Sequence, residues 1–358
     1  MTLRYVGPGG SDANSGLTWA LRKLTLNGVE DTPVVAGDTI YVGPGTYRET
    51  LTVDVSGTAG NPITYIGDYS GANTDGIGGV VRITGSDNDQ SATRTNCITA
   101  TAKAYRTFNG FLLDTTVGRI VTLPTSSDHF IFQNCNFIGV SASGSYAIDC
   151  GAAPTNNTID GCYFDAAAVD TAISFTSAAT TSDTGNVVQN STFVGGLVAV
   201  NVVRVGGIIV KNCTFTGKCT DGVLVATALA VGQACTVNNC IFRGGNRGVK
   251  ATTTAEFVSN YNTFSGVATS HTNVTAGAND VTYPPLFDTR WFFELVGGKG
   301  RMLSPFDLAS YSQLVNLAGT SPTTTDMRGM AVIGAQREWG ALEYDPALLF
   351  RRVIARQV

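Results

Sequence analysis

Six copies of one short phrase occupy residues 130–266, and they constrain the fold more than any other feature of this 358-residue chain. They read FIFQNCNFIG, TIDGCYFDA, VVQNSTFVGG, IIVKNCTFTG, TVNNCIFRGG and FVSNYNTFSG. Aligned on the aromatic, the anchors are Phe137, Phe164, Phe193, Phe215, Phe242 and Phe264, at intervals of 27, 29, 22, 27 and 22 residues. A repeat of about 20 to 50 residues with unequal spacing is that of a solenoid, in which constant rungs are joined by loops of varying length.

The chemistry of one repeat says which kind of solenoid. In IIVKNCTFTG, Ile208 and Val210 alternate with the outward Lys211, and Cys213 and Phe215 alternate with the outward Thr214. That is a strand of period two, bent once at Asn212. The bend needs a residue that tolerates left-handed backbone angles, which Asn and Gly do at low cost. Asn134, Gly161, Asn190, Asn212 and Asn239 occupy it. With rungs stacked about 4.8 Å apart, the amides of Asn134, Asn190, Asn212 and Asn239 are expected to form a hydrogen-bonded structural ladder. A second strand follows in each repeat (YAIDC, TAISF, GLVAV, DGVLVA, RGVKA), and a third leads back into the next corner. Three short strands per turn predict an all-β, three-sided parallel β-helix with the six phenylalanines as a core aromatic column.

The N-C-x-F rungs resemble the right-handed parallel β-helix proteins of the pectate-lyase-like superfamily. The segment AGDTIYVGPGTY, carrying Gly37, Asp38, Ile40, Val42, Pro44, Gly45 and Tyr47, is similar to the first rung of many β-helix repeat proteins. In those proteins a helix precedes this phrase, and here Leu17, Trp19, Leu21 and Leu24 suit a short amphipathic helix. PPLFD, SQLVNLAGT, TDMRGMAVIGA and WGALEYD follow the order of a closing segment in the same proteins, with Leu342 where a Tyr is usual. The resemblance therefore implies an N-terminal helical cap over residues 1–35, a β-helix of roughly ten coils over 36–270, and a C-terminal β cap over 271–345. Residues 346–358 lie beyond it. Leu349, Phe350, Arg351, Arg352 and Arg356 make this tail basic and apolar, a candidate docking segment.

Charged residues are 14% of the chain, against about 25% in an average domain, so the outer walls must be mostly Thr, Ser, Asn and Gly. A net charge of −4 argues against nucleic-acid binding, and no apolar run is long enough for a membrane span. The eight cysteines show no CxxC or Cys/His grouping. Cys135, Cys162, Cys213 and Cys240 share one inward column with Ser191, so they read as small buried thiols, and neither a metal nor a cofactor is expected.

An enzyme of this superfamily needs convergent acids: two carboxylates about 5 to 10 Å apart for glycoside hydrolysis, or several acidic oxygens around Ca²⁺ plus a base for lyase chemistry. The outward column of the second strand reads Asp149, Ser174, Val198 or Ala199, Leu224 and Lys250, with no neighbouring carboxylates. NTDG at Asn73–Gly76 and TDG at Thr220–Gly222 resemble one polygalacturonase motif without its companions. His129 and His271 are expected in solvated turns, and no catalytic residue is assigned.

The expectation is a non-enzymatic structural protein of a bacteriophage particle, such as a capsid decoration protein or a tail-associated spike. Its partners would be the major capsid or tail proteins, with self-association as a trimer and a host surface glycan as further candidates. The N-terminus lacks the pattern of a secretory signal, which fits a virion protein made in the host cytoplasm. A polysaccharide-active lyase, hydrolase or depolymerase, and a secreted or cell-surface glycan-binding adhesion module, are the alternatives.

Overall fold

The computed structural model describes residues 1–283 apart from 33, 126, 141–145, 153, 167–170, 182–184, 218, 230–232 and 253–255, together with strands 293–296 and 299–302. Of the closing segment expected over 271–345, residues 284–292, 297–298 and 303–345 lie outside the described residues, as does the tail with Leu349, Phe350, Arg351, Arg352 and Arg356.

The chain winds as a right-handed, three-walled parallel β-helix. Among the described residues, sheet A has ten strands, from Leu3–Val6 to Phe257–Asn260; sheet B has nine, from Gly45–Tyr47 to Thr263–Ser265; sheet C has nine, from Leu51–Val53 to Thr269–Thr272. From Thr39–Val42 to Thr269–Thr272, successive strands go to A, B and C in turn, so neighbours within a sheet come from adjacent coils and pair in parallel; Phe293–Val296 and Lys299–Met302 form a separate antiparallel pair. Sheet A begins inside the stretch expected as cap, because Leu3–Val6 pairs with Thr39–Val42.

Two left-handed corners turn each of the central coils. Between sheets A and B they fall at Asn134, Gly161, Asn190, Asn212, Asn239 and Tyr261, with φ of 51°, 64°, 52°, 53°, 57° and 55°. A second file leads into sheet A at Tyr105, His129, Asn156, Gly185 and Gly207, with φ of 57°, 57°, 54°, 86° and 67°. After such a bend a backbone N–H points inward, away from the strand ladder, and must find an acceptor. Polar side chains one coil further along supply it. Ser191 Oγ accepts from Cys162 N at 3.1 Å, Asn262 Oδ1 from Cys240 N at 2.9 Å, Asn157 Oδ1 from Phe130 N at 2.8 Å, and Asn186 Oδ1 from Asn157 N at 3.1 Å.

The core is organised by rings. Phe137, Phe164, Phe193, Phe215, Phe242 and Phe264 form an unbroken stack with centroids 4.8, 4.8, 4.9, 4.5 and 4.8 Å apart and planes within 7°. Opposite them, the aligned file on sheet C is Ala147, Ala172, Ala199, Gly222 and Gly248. Small residues are required there. A Cβ on Gly222 would lie 2.6 Å from Phe242 Cε1, and one on Gly248 would lie 2.5 Å from Phe264 Cδ1.

The N-terminal end is closed differently from the sequence expectation. Trp19–Leu21 is a single 3-10 turn and Leu26–Glu30 a short α-helix, while Leu17, Leu21 and Leu24 are exposed. Asp12 Oδ1 accepts from Leu24 N and Thr25 N, and the Thr25 side chain caps Gly28 N, so the helix starts at Leu26, beyond the whole Leu17–Leu24 apolar pattern. Leu26 and Val29 then cover the core. Glu30 ends this helix inside the barrel, where Arg106 grips it at 2.9 and 2.8 Å and the Tyr65 hydroxyl donates to it at 2.5 Å.

Candidate functional site

The polar groups singled out in the sequence are placed as follows. Asn134 is exposed and donates from Nδ2 to Asn109 Oδ1 at 3.0 Å; Asn190 is buried and donates to Asp160 Oδ1 at 2.8 Å. Both reach the residue before the corner in the preceding coil. Asn212 and Asn239 are buried as well, and the corner-to-corner continuity is carried by backbone bonds, such as Asn190 N to the Lys211 carbonyl at 3.2 Å and Asn212 N to the Asn238 carbonyl at 3.1 Å. These positions share the left-handed backbone angle.

All eight cysteines are free and buried. Cys135, Cys213 and Cys240 thiols lie 3.2, 3.3 and 3.2 Å from the carbonyls of Gln133, Lys211 and Asn238, and Ser191 Oγ donates to the Gln189 carbonyl at 2.7 Å. Burial pushes Cys97 and Cys235 up to about 12 and Cys219 up to about 11, so none of these three is a nucleophile at neutral pH.

Both histidines depart from the solvated turns expected for them. His129 lies in the strand Asp128–Gln133, stacked on Tyr105 with centroids 4.1 Å apart. His271 takes an inward position of sheet C, aligned with Val249, and its ring covers Phe264 at 4.6 Å. There it meets Asp280 and Ser259, which invites comparison with a nucleophilic triad. The geometry is different: one ring nitrogen, Nε2, faces both Asp280 Oδ2 at 3.0 Å and Ser259 Oγ at 3.4 Å, and Ser259 donates its proton to Asp280 at 2.6 Å. A base that activates serine must divide its two nitrogens between acid and hydroxyl. Asp280 also accepts from Asn262 N and Gly277 N at 2.9 Å each. Burial pushes its carboxyl up, and these bonds together with those of His271 and Ser259 more than offset that and hold it below its ordinary value. The group lies in the last coil of the described residues, against Phe264.

On the outer walls, carboxylates are paired with arginines. Asp149 meets Arg119 at 2.6 Å on sheet C, Asp221 binds Arg247, and Asp87 binds Arg94 at 2.5 Å. On sheet B, Asp114 meets Arg82 at 2.8 Å, while Asp89 is shared between Arg48 and Arg82 at 2.5 Å each. The bonds from Arg48 and then Arg82 hold Asp89 down at about 2, so it stays ionised and makes a poor proton donor. Asp149 is the exception: burial raises it, with Arg119 pulling the other way. Strand register gives its file as Thr99, Thr122, Asp149, Ser174, Asn201, Leu224, Lys250 and Thr272. Asn201, not Val198 or Ala199, follows Ser174, because the strand Val198–Val205 pairs two to three residues further along than its apolar pattern suggested. Asp149 has hydroxyls on both sides and no second carboxylate in this file. Among the described residues, no group of three His, Cys, Asp or Glu side chains is placed to hold a metal ion. The NTDG stretch lies in the loop after Ile63–Gly67, where Asp68 accepts from Asn73 N at 2.7 Å and the Thr74 hydroxyl at 2.9 Å, a local turn network.

Comparison with known proteins agrees with this architecture. Residues 120–283 match the family described as the right handed beta helix region. The solved structure of pectate lyase Pel9A superimposes with a TM-score of 0.53 at 16% identity, over 96% of this chain and 97% of that one. An alginate lyase from Paenibacillus sp. covers 78% of this chain and 98% of its own at 14% identity, with a TM-score of 0.44. A rhamnogalacturonan lyase covers 74% of each chain at 19% identity, also with a TM-score of 0.44. No curated protein matches the chain. No helix among the described residues is long and apolar enough to cross a membrane.

Proposed function

We propose that this right-handed parallel β-helix protein is a non-enzymatic structural rod of a bacteriophage particle, in the manner of a capsid decoration protein or a tail-associated spike. The observation that carries the reading is how the chain uses its distinctive side chains. The recurring aromatics form one continuous stack, the thiols and inward amides satisfy corner backbone groups, and Asp89, Asp114 and Asp221 on the outer walls are engaged in ion pairs with arginines. Such an allocation favours stiffness over proton transfer. The assignment to a virion rests on the resemblance of the N-C-x-F rungs and the GDTIYVGPGTY phrase to β-helix repeat proteins used in that way.

The test is mass spectrometry of purified particles. A copy number in fixed ratio to the major capsid protein, surviving high-salt washing, is expected; absence of the chain from intact particles refutes the assignment. A second reading, a polysaccharide-active enzyme, is favoured by the fold shared with a pectate lyase along almost the whole chain and by the raised carboxyl of Asp149 on sheet C. Release of reducing sugar or unsaturated uronate from capsular or pectic polysaccharide, lost in Asp149→Asn, would establish that reading instead.

A further inference from the structure

On the outer wall of sheet B, two arginines from neighbouring coils converge on one carboxylate. Arg48 binds Asp89 with both ends of its guanidinium, Nη2 to Oδ2 at 2.5 Å and Nη1 to Oδ1 at 3.1 Å, and Arg82 Nη1 reaches the same Oδ1 at 2.5 Å. Each guanidinium is also held from elsewhere. Arg48 Nη1 donates to the Ser86 carbonyl at 2.8 Å; Arg82 donates from Nε to Asp114 Oδ2 at 2.8 Å and from Nη2 toward the Thr84 hydroxyl at 3.5 Å. The two donors are therefore aimed by strand and loop-base residues that do not depend on Asp89.

Asp89 is differently situated. It stands at the tip of a turn closed by the Ser86–Ala92 bridge, its φ is 62°, and its side chain is 48% exposed. Counting charges, Asp114 offsets one arginine and Asp89 the other. With Asp89 swung out, one positive charge remains on an exposed pair of guanidinium forks, a geometry suited to a planar carboxylate.

We propose that Arg48 and Arg82 form a recognition clamp for a carboxylate carried on a turn of a partner protein, with Asp89 occupying the clamp as an internal stand-in until the partner displaces it. The present occupant is itself an aspartate on a tight peptide turn, and this favours a protein partner over an acidic glycan. The inference rests on reading the chain as a component of an assembly, yet its test uses the isolated protein and so fails or succeeds apart from particle attachment.

A tethered competitor lowers the apparent affinity for an outside carboxylate, because its effective concentration is of millimolar order. Binding of a fluorescein-labelled hexaaspartate peptide is measured by anisotropy at low ionic strength for the full chain. Asp89→Asn should bind at least ~10-fold more tightly than the parent protein, and the gain should shrink as salt screens the pair. Adding Arg48→Gln to Asp89→Asn should abolish binding. Adding Arg48→Lys instead, which keeps the charge without the fork, should lose most of it; this variant also serves where the glutamine variant does not fold. Equal binding by the parent and Asp89→Asn, or binding that survives loss of Arg48, overturns the clamp. Tighter binding of hexagalacturonate than of the peptide overturns the protein partner.

Discussion

Replacing Phe215 by Ala tests the ring stack where it is best defined. The ring is 2% exposed and lies between Phe193 at 4.9 Å and Phe242 at 4.5 Å, with planes 6° and 3° apart. Truncating a buried phenylalanine costs about 3–5 kcal/mol through lost burial and the cavity left behind. Each aromatic contact adds about 0.5–1.5 kcal/mol beyond burial, and Phe215 has two. Phe264 supplies the internal comparison, since it has one stacked phenylalanine, a tilted His271, and 5% exposure. Phe264→Ala is therefore expected to cost about 1 kcal/mol less than Phe215→Ala. Because coils contact only their neighbours, the damage should be local as well as global. Urea unfolding followed by circular dichroism gives the total, and amide hydrogen exchange should show lost protection in the strands Thr192–Val194, Thr214–Thr216 and Ile241–Arg243 first. A cost below about 1 kcal/mol for Phe215→Ala, or an equal cost for Phe264→Ala, would show that the stack does not hold the coils together.

Four further predictions concern the two ends, the corners and the thiols. Arg106→Met leaves Glu30 buried beside Tyr65 without its guanidinium and should cost about 3–5 kcal/mol, whereas adding Glu30→Met should recover most of it; a thermal-melt cycle of the two variants measures the difference. At the other end, the folded carboxyl of Asp280 lies below its ordinary value, so its contribution is present above pH 4 or so and is lost as pH falls through the folded value. Asp280→Asn should accordingly flatten the acid limb of a stability-versus-pH curve, and an unchanged limb would disprove the role assigned to it. At a corner with φ 53°, Asn212→Val should destabilise more than Asn212→Gly, by about 1–2 kcal/mol in denaturant midpoints converted to free energy. Finally, Cys97, Cys219 and Cys235, with thiols raised to about 12, 11 and 12, should resist a thiol-reactive dye at pH 8 in the folded protein and react once it is unfolded in urea.

The solenoid could be read from the sequence because its causes are local and repeated. Alternation of period two, a left-handed-tolerant residue before each Cys-x-Phe, and aromatic spacing of 22 to 29 residues all act within one coil, so each copy restates the rule. What depends on contacts between coils was not legible in the same way. The last corner is Tyr261, a residue with no special tolerance for left-handed angles, and His271 is an inward plug although it sits in a polar phrase. The strand Val198–Val205 joins sheet C in a register set by Ile173 and Val223 on either side, which moved Asn201 into the Asp149 file. The Leu17, Trp19, Leu21, Leu24 pattern suggested a cap helix, but Asp12 and Thr25 start the helix later, and Glu30 is drawn inward by an arginine 76 residues away.

The sequence by itself determined that the chain coils, where the Asn and Gly corners before Cys-x-Phe and Ser-x-Phe fall, and that the phenylalanine column faces inward, since these follow from backbone angles and side-chain alternation within about ten consecutive residues. Only the tertiary structure decided which charges meet. Arg48, Arg82 and Asp89 come from separate segments of the chain, and their convergence depends on how far each loop returns before the next strand pairs. Loop length costs little free energy and carries no periodic signal, so a charge pairing across it leaves no mark in the sequence.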